Sequence, residues 1–233
     1  MSNKVILLSA GHGGADPGAT GNGIRESDAN LAITLACRDY LAANYTGHKL
    51  VLPRATDIAV TLANRVDLAK RAGADLYVSI HNNSFSDPTA NGFETFLHSG
   101  PLFQQTFRYR DVMHNQVYSY LRGLQVRDRG KKRADHWITR NAPCPTVLME
   151  YLFVSNPREA ELLKRPEVLT GLGKRTAIGI AEALELPMIE QAPQDVWYRV
   201  VAGSYRDRQN AERAVASLRS QGVPAFLDIH REG

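Results

Sequence analysis

Short runs of apolar residues, each closed by a polar residue or a turn, constrain the fold of this chain most. Such runs occur at residues 5–8, 50–52, 76–80 and 146–149. A continuous apolar run of this length is typical of a strand that is buried on both faces. We therefore expect these segments to be central strands. Residues 93–97 alternate apolar and polar side chains and are expected at a sheet edge.

The segments between these runs repeat apolar residues with the period of a helix. Three such helices are predicted, and Gly73 is placed to end the second. Strands that alternate with helices of this length predict an α/β fold with a largely parallel sheet. The apolar positions are Ile33, Cys37, Tyr40 and Leu41 in the first helix, Leu62, Val66 and Ala69 in the second, and Leu169, Leu172, Ile180 and Ala183 in the third.

A second, smaller unit follows residue 186. Residues 187–195 contain two prolines and no periodic pattern, which is typical of a linker. Beyond them, residues 197–202 and 223–229 read as strands and residues 208–219 as a helix. The sequence therefore predicts a domain over residues 1–186, a linker over 187–195 and a small β-α-β module over 196–233.

Composition and charge narrow the class of function. The net charge of +4 and the pI of about 9.1 indicate attraction to polyanions. The densest basic run, residues 127–133, contains no aromatic residue that could stack on a base, so we interpret it as a solvated loop and expect no nucleic-acid partner. No window reaches the roughly 18 apolar residues of a membrane span, and the N-terminal apolar run is too short for a signal peptide. We expect no membrane insertion and synthesis in the cytoplasm.

Four polar residues lie close to the predicted strands and form a candidate catalytic site. His12 follows the first strand, His81 follows the strand at 76–80, Glu150 ends the strand at 146–149, and Glu26 precedes the first helix. Imidazole and carboxylate are ligands that zinc accepts, and two His with one Glu leave a fourth position for water. A further acid without a metal bond, here Glu150, can act as the general base.

Each of these residues also has a simpler interpretation. A single His after a strand is more often a hydrogen-bonded group than a ligand, and Glu26 alone could favour the start of a helix. No short metal signature connects the four. Of the remaining histidines, His136 is retained as a candidate outer member of the site because it lies shortly before Glu150.

Six sequence blocks, in order along the chain, resemble the zinc-dependent N-acetylmuramoyl-L-alanine amidases of the amidase-3 type. The first block has Ser9-Ala10 where the family usually has Asp-Pro or Asp-Ala, and Asn82 stands where Ala is more frequent; the former difference could alter the groups that orient His12. The blocks are residues 9–19, Glu26 with Asn30 and Leu31, and residues 79–84, 92–95, 128–130 and 145–150.

The resemblance implies both a fold and an activity. It implies a mixed sheet flanked by helices, a catalytic domain over residues 1–186, Zn2+ on His12, Glu26 and His81, and a catalytic role for Glu150. The implied reaction cleaves the amide between N-acetylmuramic acid and L-alanine in peptidoglycan, as in phage endolysins, which reach the cell wall after lysis or release. A zinc peptidase that cuts within the stem peptides and a non-catalytic wall-binding protein are the alternatives.

The module over residues 196–233 resembles the first half of a SPOR domain, which binds peptidoglycan glycan strands. A complete SPOR fold has two such halves in one sheet, so this half alone would leave a strand edge uncovered. Either the modules of two chains complete each other, or the module packs on the catalytic domain, or it is a truncated remnant. Of these we favour a homodimer in which two modules complete each other.

Overall fold

The computed structural model describes residues 3–190 and 203–229 of the chain. These residues belong to two compact units, one ending at Ile189 and the other beginning at Glu190. Within residues 3–190 and 203–229, none of the helices combines the length and the hydrophobicity that spanning a bilayer requires.

A six-stranded sheet forms the centre of the first unit. Its strand order is β4-β1-β5-β8-β6-β7, and all neighbours are parallel except β6 and β8. The predicted mixed, largely parallel sheet is therefore confirmed. The strands are β1 (Lys4–Ala10), β2 (Thr20–Gly21), β3 (Ile24–Arg25), β4 (His48–Val51), β5 (Leu76–Asn83), β6 (Phe93–His98), β7 (Asp128–Ala134) and β8 (Thr146–Phe153), of which β2 and β3 form a separate hairpin.

Helices cover both faces of this sheet, and all three predicted helices of the first unit are present. On one face α1, α3 and α6 bury the larger apolar core, and on the other α2 and α4 cover a smaller one. Gly73 ends α2 in the left-handed conformation, as predicted. The helices are α1 (Glu26–Asn44), α2 (Leu62–Ala72), α3 (Thr106–Gly123), α4 (Trp137–Asn141), α5 (Pro157–Leu163) and α6 (Pro166–Leu184).

Three predictions about the sheet edges are wrong. β4 is an edge strand rather than a central one, and β6 lies inside the sheet between β8 and β7. The basic run at 127–133 is not a solvated loop, because most of it forms the edge strand β7. Its cationic side chains alternate in exposure, so one strand face can remain solvated while the backbone pairs with β6.

The second unit contains one helix in its described part, α7 (Arg208–Ser220). The Asp207 side chain accepts a hydrogen bond from the Asn210 backbone N–H and caps the start of this helix. No strand pairing joins residues 223–229 to another described residue, and because the segment predicted to pair with them lies outside the described residues, the strand over 223–229 stays a prediction. The strand predicted over 197–202 lies outside the described residues.

Candidate metal and active site

The loop after β1 presents His12, and two buried arginines hold this loop in place. His12 has φ 57°, a left-handed conformation that is costly for a residue with a side chain. Arg54, which is 1% exposed, donates to the carbonyls of Ala10 (3.2 Å) and Gly11 (2.8 Å). Arg65 donates to the carbonyls of Ala10 (2.6 Å) and His12 (2.9 Å). These bonds satisfy buried carbonyls and fix the direction in which the imidazole points.

Glu26 opens α1 and lies between two imidazole rings. Its Oε2 is 3.2 Å from His12 Nε2, and its Oε1 is 3.0 Å from His81 Nδ1. One ligand atom from each of the three residues lies within 4.8 Å of the others. The parallel pairing of β1 with β5 brings His12 and His81 together, since Ala10 and Ile80 are opposite each other. His12, Glu26 and His81 therefore form a group that can hold a metal ion.

A second layer of polar groups orients these three side chains. Asp16 Oδ2 lies 2.8 Å from His12 Nδ1, the ring nitrogen that faces away from Glu26. Asn30 donates to Glu26 Oε1 at 3.0 Å, and its own Oδ1 accepts from the Asn82 side chain at 2.9 Å. Partners of this kind fix the tautomer and the ring orientation of ligating histidines.

Electrostatic coupling between these groups appears in their pKa values. The hydrogen bond that His12 donates to Glu26 is the largest cause that raises the pKa of His12, which reaches about 9 although burial lowers it. The pKa of Glu26 is lowered, because hydrogen bonds from His12 and His81 outweigh the effect of burial. Glu26 is thus a carboxylate over the whole physiological range, as a metal ligand must be.

Glu150 lies in the middle of β8 and not at the strand end where the sequence placed it. Its register partners are His81 on β5 and Glu94 on β6, so it lies directly beside the three-residue group. Its Oε2 atom is buried and has no hydrogen-bond partner among the described residues. Burial raises the pKa of Glu150 well above the usual carboxyl value, and the charges of Glu26 and Glu94 add to this shift.

Glu94 is a buried carboxylate that cationic side chains of β7 neutralise. Its Oε2 accepts from Arg129 Nε at 2.9 Å and forms an ion pair with Lys132, and its Oε1 accepts from the Asn83 side chain at 2.7 Å. β7 therefore delivers positive charge to the side of Glu150 that faces away from His81. The sequence interpretation missed Glu94, whose signal is the 92–95 block that it shares with the family.

Two further residues that the sequence analysis discussed, Ser9 and His136, lie outside the three-residue group. Asp16, and not residue 9, holds the outer nitrogen of His12, while the Ser9 hydroxyl accepts from Arg65 at 2.7 Å. The Ser9 difference from the family therefore reaches His12 only through its loop. His136 lies outside the three-residue group; its ring packs edge-on against Phe96, with the centroids 4.9 Å apart.

The fold and this site define an α/β protein with a His-Glu-His group that can hold one metal ion beside a buried carboxyl. The family model of N-acetylmuramoyl-L-alanine amidases matches residues 6–182. A SPOR domain model matches residues 169–227, starting within α6. The chain therefore belongs to the N-acetylmuramoyl-L-alanine amidase family, and its first unit is the amidase part.

Individual relatives and solved structures agree with this membership. The chain is 34% identical to the N-acetylmuramoyl-L-alanine amidase CwlM of Bacillus licheniformis, over 97% of this chain and 85% of that protein. It is 38% identical to the endolysin of Bacillus phage SPP1, over 79% of this chain and 67% of the endolysin. The catalytic domain of the amidase CwlV from Bacillus (Paenibacillus) polymyxa var. colistinus superposes with a TM-score of 0.72 at 30% identity, covering 78% of this chain and 99% of that domain.

The family establishes the class of reaction. The protein is an N-acetylmuramoyl-L-alanine amidase, a hydrolase of the amide bond that joins the glycan and the stem peptide in peptidoglycan. Peptidoglycan is accordingly its substrate and partner. Family membership thus favours the amidase over the two alternatives considered from sequence, a stem-peptide peptidase and a non-catalytic wall-binding protein.

Proposed function

We propose that His12, Glu26 and His81 hold a catalytic zinc ion. Two imidazole nitrogens and one carboxylate oxygen are a donor set that zinc accepts, and three protein ligands are typical of catalytic rather than structural zinc sites. The three atoms already lie within 4.8 Å of one another. Asp16 on the outer nitrogen of His12 supplies the supporting contact that such ligands need. When bound, zinc supplies Lewis acidity that polarises the amide carbonyl and acidifies water.

Glu150 is the general base in this proposal. It takes a proton from the attacking water and delivers that proton to the alanine nitrogen as the amide breaks. A base for this task needs a pKa near the working pH, which burial of Glu150 promotes. A cation on His12, Glu26 and His81 would oppose the rise and keep Glu150 ionised at neutral pH.

The buried and unpartnered Oε2 atom of Glu150 is the observation that carries this assignment. A buried carboxyl oxygen without a hydrogen-bond partner is costly in a protein that only needs to be stable. Its place opposite His81 in the strand register puts this cost beside the proposed metal ligands. An unsatisfied carboxyl at that position is expected where a reacting water or amide is the missing partner.

Mass spectrometry of digested peptidoglycan tests the bond and the base together. We expect the parent protein to expose new L-alanine amino groups and to leave the glycan strands intact. Because removing a general base costs about 10²–10⁴ in rate, Glu150→Gln should slow this release by about 10³-fold. Glu161→Gln, an exposed residue of α5, is the matched control and should act like the parent.

Two results would overturn this proposal. New amino groups other than that of L-alanine would indicate cleavage within the stem peptide. Release of L-alanine amines by Glu150→Gln at the parent rate would show that another group is the base.

We propose that the second unit binds peptidoglycan and so keeps the enzyme close to its substrate. The SPOR match supports a peptidoglycan-binding role for the predicted module at 196–233, after a catalytic domain at 1–186 and a linker at 187–195. A homodimer through this module stays a prediction, and light scattering that shows a monomer at micromolar concentration would contradict it. We propose that the enzyme acts on the cell wall after release from the cell that makes it, as the similarity to an endolysin suggests.

A further inference from the structure

A cavity beside the candidate active site has no role in the mechanism above. Its volume is about 410 Å3, and it lies in the first unit between the segment that follows β5 and the start of β7. Asn83, Ser84, Phe85, Asn91, Arg127 and Phe153 are among the residues that line it.

This cavity adjoins the reacting groups through two of its lining residues. Asn83 lies two positions after His81 on β5, and Glu94 is the register partner of Glu150. The Asn83 side chain donates to Glu94 Oε1 at 2.7 Å, so these two residues form one continuous wall. The cavity therefore has room for the residue next to a scissile amide that lies at Glu150.

The charges around the cavity leave one cation without a partner. Glu94 is neutralised by Arg129 and Lys132. Asp87 keeps its negative charge, but its Oδ1 is occupied by hydrogen bonds from the backbone and hydroxyl of Thr89. The exposed Arg127 guanidinium forms no hydrogen bond or ion pair with any residue in the described ranges. A free guanidinium at a cavity wall is suited to a planar anion such as a carboxylate.

The backbone brings Arg127 to this wall. Gly92 has φ +110°, and a Cβ atom there would lie 2.6 Å from the Arg127 carbonyl oxygen. The Phe93 N–H donates to that same carbonyl at 2.9 Å. Glycine therefore permits a close approach that no other residue allows, and this approach fixes the main chain of Arg127 beside the cavity.

We propose that this cavity binds the stem peptide and that Arg127 pairs with a carboxylate on the residue after the L-alanine. The inference rests on the proposed amidase site, because that site sets where the alanine lies. Phe85, which is 62% exposed, offers apolar contact to the same peptide residue. The enzyme then distinguishes stem peptides in which this carboxylate is free from those in which it is amidated.

Two soluble substrates test this specificity. They are N-acetylmuramoyl tripeptides that differ only in carrying D-glutamate or D-isoglutamine at the second position. For the parent we expect a KM about fivefold lower with the free carboxylate, the size typical of a solvent-accessible ion pair. Arg127→Gln should remove this preference by raising the KM for the D-glutamate substrate, with a smaller effect on kcat, and Arg127→Lys should restore part of it.

Arg71→Gln is the matched control, since Arg71 is an exposed arginine of α2 that does not line the cavity. This variant should keep the preference of the parent. Equal KM values for the two substrates with both the parent and Arg127→Gln would overturn the inference. If neither substrate is hydrolysed, the proposed function fails instead, and the dissociation constants of the same two tripeptides, measured by calorimetry, still show whether Arg127 selects the carboxylate.

Discussion

The two units of the chain differ most in how many of their side chains are buried. The first unit has a large set of fully buried side chains on both faces of its sheet, and its functional groups lie on β5, on β8 and in the segment from the end of β1 to the start of α1, which pack against this core. In the second, no residue of α7 is buried, and Phe226 and Ile229 are each 70% exposed. The precise geometry of the site therefore rests on the packing of the first unit.

The same substitution in each unit tests this contrast with the largest expected effect. Leu172 in α6 is 0% exposed, whereas Leu218 lies in α7, which buries no residue. We expect Leu172→Ala to lower the free energy of unfolding by about 2–5 kcal/mol, because it leaves a cavity in the core. Leu218→Ala should cost below about 1 kcal/mol. Thermal denaturation measures both, and equal shifts in Tm would show that the second unit is packed as tightly as the first.

The pH dependence of metal binding should arise only from groups in the first unit. Since Glu26 raises the pKa of His12 to about 9, a metal must displace a proton below that pH. We expect the apparent zinc affinity of the metal-stripped protein to rise about tenfold per pH unit between about pH 7 and about pH 9, then to level off. Calorimetric titration measures this, and a flat profile would contradict the coupling of His12 to Glu26.

The sign of the accompanying stability change follows from the same shift. A raised pKa means that the pairing of His12 with Glu26 stabilises the metal-stripped fold fully below the ordinary value of 6.5. This contribution is lost as the pH rises through about 9. The Tm of the metal-stripped protein should therefore fall across that window, whereas zinc-loaded protein should not show this fall.

Removal of the second unit should give the smallest effect on the chemistry. A chain that ends after Ile189 keeps the whole sheet and all four candidate residues. We expect its Tm and its kcat/KM on a soluble muramoyl peptide to match the full chain within about twofold, because the core is unchanged. Its binding to insoluble peptidoglycan should fall. A large loss of activity on the soluble peptide would show that the second unit contributes to the site itself.

The sequence predicted the centre of the fold better than its edges. β1, β5 and β8 consist mainly of apolar residues, and a run of apolar residues is itself the signal of a buried strand. These three strands could therefore be predicted from the sequence. β7 was missed because its run of charged residues is also typical of a solvated loop. An edge strand needs only one paired side, and only the position of β6 decides whether that pairing occurs.

In the site, too, some residues could be predicted from the sequence, whereas the contacts that support them could not. His12, Glu26 and His81 are far apart in the chain, and parallel pairing of β1 with β5 brings the two histidines together. Residue types and family blocks could therefore name these three residues. The support from Asp16 and Arg54 could not be predicted, because it depends on where a glycine-rich loop turns.

Metal content measured together with activity tests the central claim most directly. Protein purified without added metal should contain one zinc ion per chain, and removal of zinc by a chelator should abolish release of L-alanine amines until zinc is returned. His81→Ala should contain no zinc and show no activity, while keeping the folded signal of the parent. Full activity of the chelated protein, or one zinc ion in His81→Ala, would contradict the assignment of His12, Glu26 and His81 as the catalytic metal site.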